Sequence, residues 1–389
     1  MKIYHRNHIK RSRLLLFGCQ NSSKIFRITS LAQSSSLLRR HSALHTGPME
    51  LKDILKVLEE LAPLSLAEPW DNVGLLVEPS KPRPVKNVLL TNDLTKPVME
   101  EARTRSCDLI VSYHPPIFRP IKSLVQKDWK QRLAIQAVEA GIAVFSPHTS
   151  WDSVNGGVND WLVGGLGGGQ VSVLNQANVD FPYSHIVEFQ CKDNVLDVLL
   201  KQFQALDGVL VQDPFSCSSN QTQVNLYCRA SVLGAVVEKV AKDIACDRSL
   251  RIVKAEKSGH GQGRLSVLDQ PVTVAIAVNK MKSHLGLRHL RLALGQGRTQ
   301  ESIIRTVAVC AGSGASVLNG VKADLYVTGE MSHHEVLDVV AKGTNVILSD
   351  HSNSERGYLA VFREKLTEKM PADVVVTLSD ADRDPLEVV

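Results

Sequence analysis

The same pattern of alternating strands and helices occurs twice along this chain, and the repetition limits what it can fold into. In the first copy, 87–91 reads as a strand, 98–105 as a helix, 107–114 as a second strand, 130–140 as a helix and 141–148 as a third strand. In the second copy the corresponding segments are 305–310, 315–321, 323–329, 334–341 and 343–351. Asp-Leu opens the middle strand of each copy, at Asp108-Leu109 and Asp324-Leu325, and a Ser-x-His closes each last strand, at His148 and His351. Continuous apolar strands alternating with helices belong in parallel sheets covered on both faces. The expected fold class is therefore α/β. Two related three-layer α/β lobes with parallel-type sheets, at 49–180 and 266–389, would face each other across a cleft.

Between the two copies the character of the sequence changes. After a Gly-rich stretch at 164–169, segments 184–190 and 222–228 alternate in the manner of half-buried strands, and each precedes a helical pattern, at 194–203 and 230–244. Short strands near 209–211 and 250–253 complete two β-α-β units. Residues 181–265 are thus expected to form an inserted ferredoxin-like α+β domain, with a second Gly-rich stretch, 257–263, as its return. Ahead of the first lobe, Leu51, Ile54, Leu55, Leu58 and Leu61 share one helical face, which Pro63 ends.

Charge separates residues 1–48 from the rest. Nine of the 45 basic residues lie before Glu50 and no acid does, which leaves 36 basic against 40 acidic residues in the body. An acid-free leader rich in Arg and Ser has the marks of a mitochondrial presequence. Met49 is placed to start a shorter product with a cytoplasmic or nuclear address. A mildly acidic body lacks the phosphate-neutralising face of a nucleic-acid binder, so no direct nucleic-acid partner is expected. No apolar run approaches the roughly 18 residues of a membrane span, so no membrane partner is expected either. Seven cysteines without a C-x-x-C pair read as reduced thiols rather than as a disulfide framework or a zinc ribbon.

In parallel α/β sheets, sites form beyond the carboxyl ends of the strands. The polar groups that fall there are His114; His148 and Asp152; Glu330, His333, His334 and Glu335; and Asp350, His351 and Glu355. Imidazole mixed with carboxylate suits zinc, manganese, iron or nickel. His351 and Glu355 stand one helical turn apart and could reach one ion, although Ser352-x-x-Glu355 also reads as a capping box. Gly312-Ser313-Gly314 would serve either as a phosphate cradle or as a tight strand-to-helix turn, and it lacks the Walker lysine.

Trp70–Val77, Asn92-Asp93-Leu94-Thr95, SYHPPIF at 112–118, SPHTSWD at 146–152, TGEMSHHE at 328–335 and SDHSNSERG at 349–357 together resemble the Nif-three-like family. Its bacterial members carry the label GTP cyclohydrolase I type-two homolog. The resemblance implies a dinuclear metal centre in the cleft, with ligands at His114, Asp152, His351 and Glu355, and Glu355 bridging. It implies supporting roles for Asp93, His148 and His334, the two histidines being the candidate catalytic acids or bases. It also implies a homo-oligomer, at least a dimer and up to the hexamer of bacterial relatives, and association with transcription-cofactor proteins. One position departs from the pattern: the family's His-His is Tyr113-His114 here. A phenol ligates poorly at neutral pH, so the departure implies one ion rather than two. It also tilts the expected function toward a regulatory metal-binding protein that works by association, with a metal-dependent hydrolase of a nucleotide or phosphoester as the alternative.

Overall fold

A computed structural model describes residues 48–389, apart from 82, 179–182, 219 and 244–249. The basic leader, and with it the presequence reading, lies outside the described residues.

Two sheets carry the duplicated pattern. The first runs in the order Gly74–Val77, Ala143–Ser146, Leu109–Ser112, Asn87–Thr91, Val375–Leu378. The second runs Arg291–Ala293, Asn345–Leu348, Leu325–Thr328, Ile303–Cys310, Glu256–Thr273, Gly169–Asn178. In each, the three repeat strands are mutually parallel, and a short antiparallel strand pairs with the third of them. The repeated Asp-Leu has one structural task in both copies. Asp108 Oδ2 accepts from the Lys86 and Asn87 amides at 2.8 and 3.0 Å, and Asp324 Oδ2 accepts from those of Arg305 and Thr306 at 2.9 and 3.1 Å. Each aspartate therefore ties the start of one parallel strand to the start of the next. The middle and last repeat strands are buried along their whole length, as expected for sheets covered on both faces.

Helices close the outer faces separately: Lys96–Thr104 and Trp129–Ala140 on the first sheet, Ala315–Leu318 and His333–Ala341 on the second. The inner faces share one core. Leu90, Val111 and Phe145 of the first sheet join Val307, Val309, Leu325 and Ile347 of the second through the helices Leu51–Leu61, Val158–Gly164, Val274–Leu285 and Tyr358–Thr367. Fused cores of this kind hold the two carboxyl edges in a fixed relation.

The lobes are not consecutive stretches of chain, in contrast to boundaries drawn at 180 and 266. Gly169–Asn178 pairs antiparallel with Glu256–Thr273 in the second sheet, while Val375–Leu378 returns to the first. Several glycines read as linkers, Gly169, Gly261 and Gly263 among them, instead permit close packing within that long strand pair. A Cβ on Gly261 would stand 2.0 Å from the Asn175 carbonyl oxygen, and one on Gly263 would stand 2.9 Å from Leu174. The register shifts between Lys257 and Gly261, so glycine marks a bulge rather than a flexible connection. The strand pair leads to the inserted domain, whose strands run Arg251–Lys254, His185–Lys192, Gln221–Cys228, Val209–Val211, all antiparallel. With the helices Asp193–Gln204 and Ala230–Asp243 this is the ferredoxin-like order.

Candidate metal centre

The carboxyl ends of the repeat strands meet in the cleft, each contributing a turn of polar residues. His114 lies two residues beyond Leu109–Ser112 and enters from the first lobe. His351 and Glu355 follow Asn345–Leu348 and enter from the second, across a 3-10 turn at Ser352–Ser354. The ligand atoms of His114, His351 and Glu355 all lie within 4.8 Å of one another. Nε2 of His114 is 3.4 Å from Glu355 Oε2, and Nε2 of His351 is 3.5 Å from Glu355 Oε1. One carboxylate thus faces two imidazoles, one with each oxygen.

The opposite nitrogen of each ring is held by an acid. Asp93 Oδ1 stands 3.0 Å from His114 Nδ1, and Glu330 Oε1 stands 2.8 Å from His351 Nδ1. A carboxylate behind the ring fixes the tautomer with Nδ1–H, orients the imidazole and raises the basicity of Nε2, which is the usual outer support of a metal-bound histidine. Glu330 also accepts from Ser313 Oγ at 2.7 Å. Burial holds His114 below the ordinary imidazole range despite Asp93, which favours the neutral, ligating form.

Glu355 is 3% exposed. Burial, reinforced by Asp152 nearby, pushes its carboxyl well above the usual range. Asn92 Nδ2 donates to Oε2 at 3.2 Å, while Asn92 Oδ1 is buried without a hydrogen-bond partner among the described residues. The capping alternative for Glu355 fails, because Ser352 Oγ bonds Asp384 and the one capping box described is Ser332–Glu335. Gly312 lines the same space: a Cβ there would come within 2.7 Å of Glu355 Oε1 and 3.1 Å of His351 Nε2. The Gly-Ser-Gly turn therefore clears room at the ligand atoms. Two imidazoles aimed by acids, a buried carboxylate facing both of them and this cleared space fit a divalent cation.

Asp152 stands beside the cluster but is engaged by another group. Tyr113 Oη donates to Asp152 Oδ1 at 2.6 Å, with both side chains buried. Burial pushes Asp152 up to about 6, and burial beside Asp152 and Glu355 pushes the phenol well above its usual value. Tyr113 therefore stays a neutral donor to Asp152 rather than becoming a phenolate ligand.

His148 belongs to the same cleft. Its ring centroid is 5.4 Å from that of His114 and 5.6 Å from that of Tyr113, and its Nδ1 lies 2.7 Å from Asp71 Oδ1. Its backbone, at φ 36° and ψ −118°, is strained, as residues held at functional sites often are. His334 differs. It is exposed at the start of its helix, edge-on to His333, and belongs to no cluster among the described residues. Asp71 and Glu330 carry supporting roles that the sequence pattern left unassigned. The available signals were their places inside the Trp70–Val77 and 328–335 motifs.

Fold and site together define a class: a duplicated α/β protein with a carboxylate–dihistidine cluster in the cleft between its halves. A family model described as Duf34/NIF3 (NGG1p interacting factor 3) matches residues 49–385. The chain is 47% identical over 350 residues to NIF3-like protein 1 of Rattus norvegicus, covering 88% of this chain and 93% of that one. It is 28% identical over 344 residues to a GTP cyclohydrolase 1 type 2 homolog of Clostridium perfringens, covering 88% and 100%. A Bacillus cereus protein related to NIF3 superposes with a TM-score of 0.63 at 22% identity, covering 88% of this chain and 100% of that one, which speaks to the fold. The chain belongs to the NIF3 family.

Proposed function

We propose that this protein holds one divalent ion per chain between His114, His351 and Glu355 and uses it in hydrolysis of a nucleotide or phosphoester. The carrying observation is a set of three protein donors that remains open on one side. His351 is 40% and Glu330 49% exposed at the side chain while Glu355 is buried, so the floor is closed and the mouth is accessible. Three protein ligands with an open position are the pattern of catalytic rather than structural zinc. A bound ion would supply Lewis acidity toward a substrate oxygen. Asp93 and Glu330 would keep both imidazoles aimed. His148, with Nδ1 committed to Asp71, would hold or release a proton at Nε2. The relative from Clostridium perfringens is named as a cyclohydrolase homolog, which agrees with this reaction class.

The test is metal content and turnover of residues 49–389 after exposure to zinc or manganese, with nucleotides and phosphodiesters as substrates. About one ion per chain is expected, with His148→Ala retaining the ion and losing turnover. Absence of metal under both conditions would overturn the proposal.

A second reading, association with a regulatory partner, is favoured by a different observation. Trp70 and Phe118 are 61% and 40% exposed, and both contact the His148 ring. Ile121, Leu124, Val125 and Trp129 are exposed on the segment that follows Phe118. The family's description includes the words NGG1p interacting factor 3. Turnover without a stable partner would favour the first reading, and a stable partner without turnover the second.

A further inference from the structure

We propose that the C-terminal strap, residues 379–384, sets the width of the metal cleft, with Asp382 as its positioning residue. The inference rests on the metal-binding reading above. After Val375–Leu378 the chain crosses from one lobe to the other. On the first lobe, Glu101 accepts from Ser379 Oγ at 2.5 Å and from the Asp380 and Ala381 amides at 2.9 and 3.1 Å. On the second lobe, Ser352 Oγ donates to Asp384 at 2.5 Å.

Asp382 lies between these anchors, with its side chain 3% exposed. Its Oδ2 accepts from the Asn92 amide at 2.8 Å and from Arg356 Nε at 3.2 Å, and Arg356 Nη2 reaches Oδ1 at 3.4 Å. Those two partners flank Glu355. Asn92 belongs to the first lobe and donates its side-chain amide to Glu355 Oε2, while Arg356 follows Glu355 in the second lobe. A single carboxylate therefore joins the first-lobe residue that orients Glu355 to the second-lobe backbone that carries it. His114 comes from one side of that joint, and His351 with Glu355 from the other. The shared core sets the lobes' overall relation, and this joint trims the separation at the cleft itself. The charged contact has little exposure, where hydrogen bonds to ionised groups count for more than on the surface.

The experiment measures zinc affinity of residues 49–389 by competition with a chromophoric chelator, and the visible spectrum of the cobalt-loaded protein. The variants are Asp382→Ala, Asp382→Glu and the exposed control Arg383→Ala. Asp382→Ala is expected to weaken zinc binding roughly 10–100-fold, the range for partners that orient ligands, and to shift the cobalt bands. Asp382→Glu should recover part of both, and Arg383→Ala should match the parent. By reciprocity, zinc should slow hydrogen exchange at the 379–384 amides in the parent and have less effect in Asp382→Ala. If Asp382→Ala fails to fold, Asp382→Asn carries the same comparison. Parent-like zinc affinity and cobalt spectrum in a variant with lowered thermal stability would make the strap merely structural and overturn the inference alone. A parent protein that holds no zinc would overturn the metal reading and this inference together.

Discussion

At the scale of single residues, the cleft is a balance among carboxylates that differ in their neighbours and in their exposure. Asp71 and Asp93 each face an imidazole and sit below the ordinary range despite burial, whereas Asp152 and Glu355 sit above it. Glu355→Gln removes the only carboxyl group among the three donors while keeping its size. We expect zinc affinity to fall at least tenfold by chelator competition, since even outer partners are worth about that much. Asp152 makes a pH prediction with a definite sign. Its folded value of about 6 exceeds the unfolded 3.8, so the folded state binds the extra proton and stability falls as pH rises between those values. Asn keeps an acceptor for Tyr113. In chelator-treated protein, Asp152→Asn should therefore gain stability relative to the parent between pH 4 and 7, by about 1–3 kcal/mol at the usual conversion. Urea unfolding at both pH values checks this, and an equal offset at both would refute it. His114, His351 and Glu355 were legible because strand ends and a four-residue spacing placed them. The place of Glu330 at a strand end was legible too, but its role and that of Asp71 were not, because they depend on contacts of 2.8 and 2.7 Å with residues 21 and 77 positions away.

At the scale of elements, the repeated strands and helices were legible because each strand is apolar throughout and bounded by turn residues. The helix read at 130–140, Trp129–Ala140 in the structure, is held at both ends. Asp128 Oδ1 accepts from the Lys130 and Gln131 amides at 2.9 and 3.0 Å, and Gly141 closes it at φ 70°. The long pair Gly169–Asn178 and Glu256–Thr273 was not legible. Glycine is ambiguous in isolation: it signals a loose linker or a close approach, and only the facing strand decides. Two substitutions separate the meanings. Gly261→Ala places a methyl on the Asn175 carbonyl at φ 141°, and should cost about 2–3 kcal/mol in urea unfolding. Gly234, within the helix Ala230–Asp243, has open space around its added Cβ. Gly234→Ala should be neutral or stabilising by up to about 1 kcal/mol. Equal effects at the two positions would contradict the assignment of close packing to Gly261.

At the scale of the whole molecule, each lobe supplies an incomplete set of donors, and their shared core brings the sets together. The ferredoxin-like insert has its own core and leaves that arrangement undisturbed. We expect residues 49–389 to form at least a homodimer at micromolar concentration, since exposed apolar side chains such as Trp70, Leu124 and Trp129 favour a covering surface. A monomer mass by light scattering would refute this. The return of Val375–Leu378 to the sheet begun by Asn87–Thr91 also has a consequence for synthesis. A ribosome delivers the chain from its amino end, and domains generally fold as they emerge. Here the first lobe to emerge waits for Val375–Leu378 to be made, with one side of Asn87–Thr91 unpaired while the insert and most of the second lobe are translated. The first sheet therefore closes late in synthesis, and a nascent chain stalled before Val375 should remain open to protease along the first lobe.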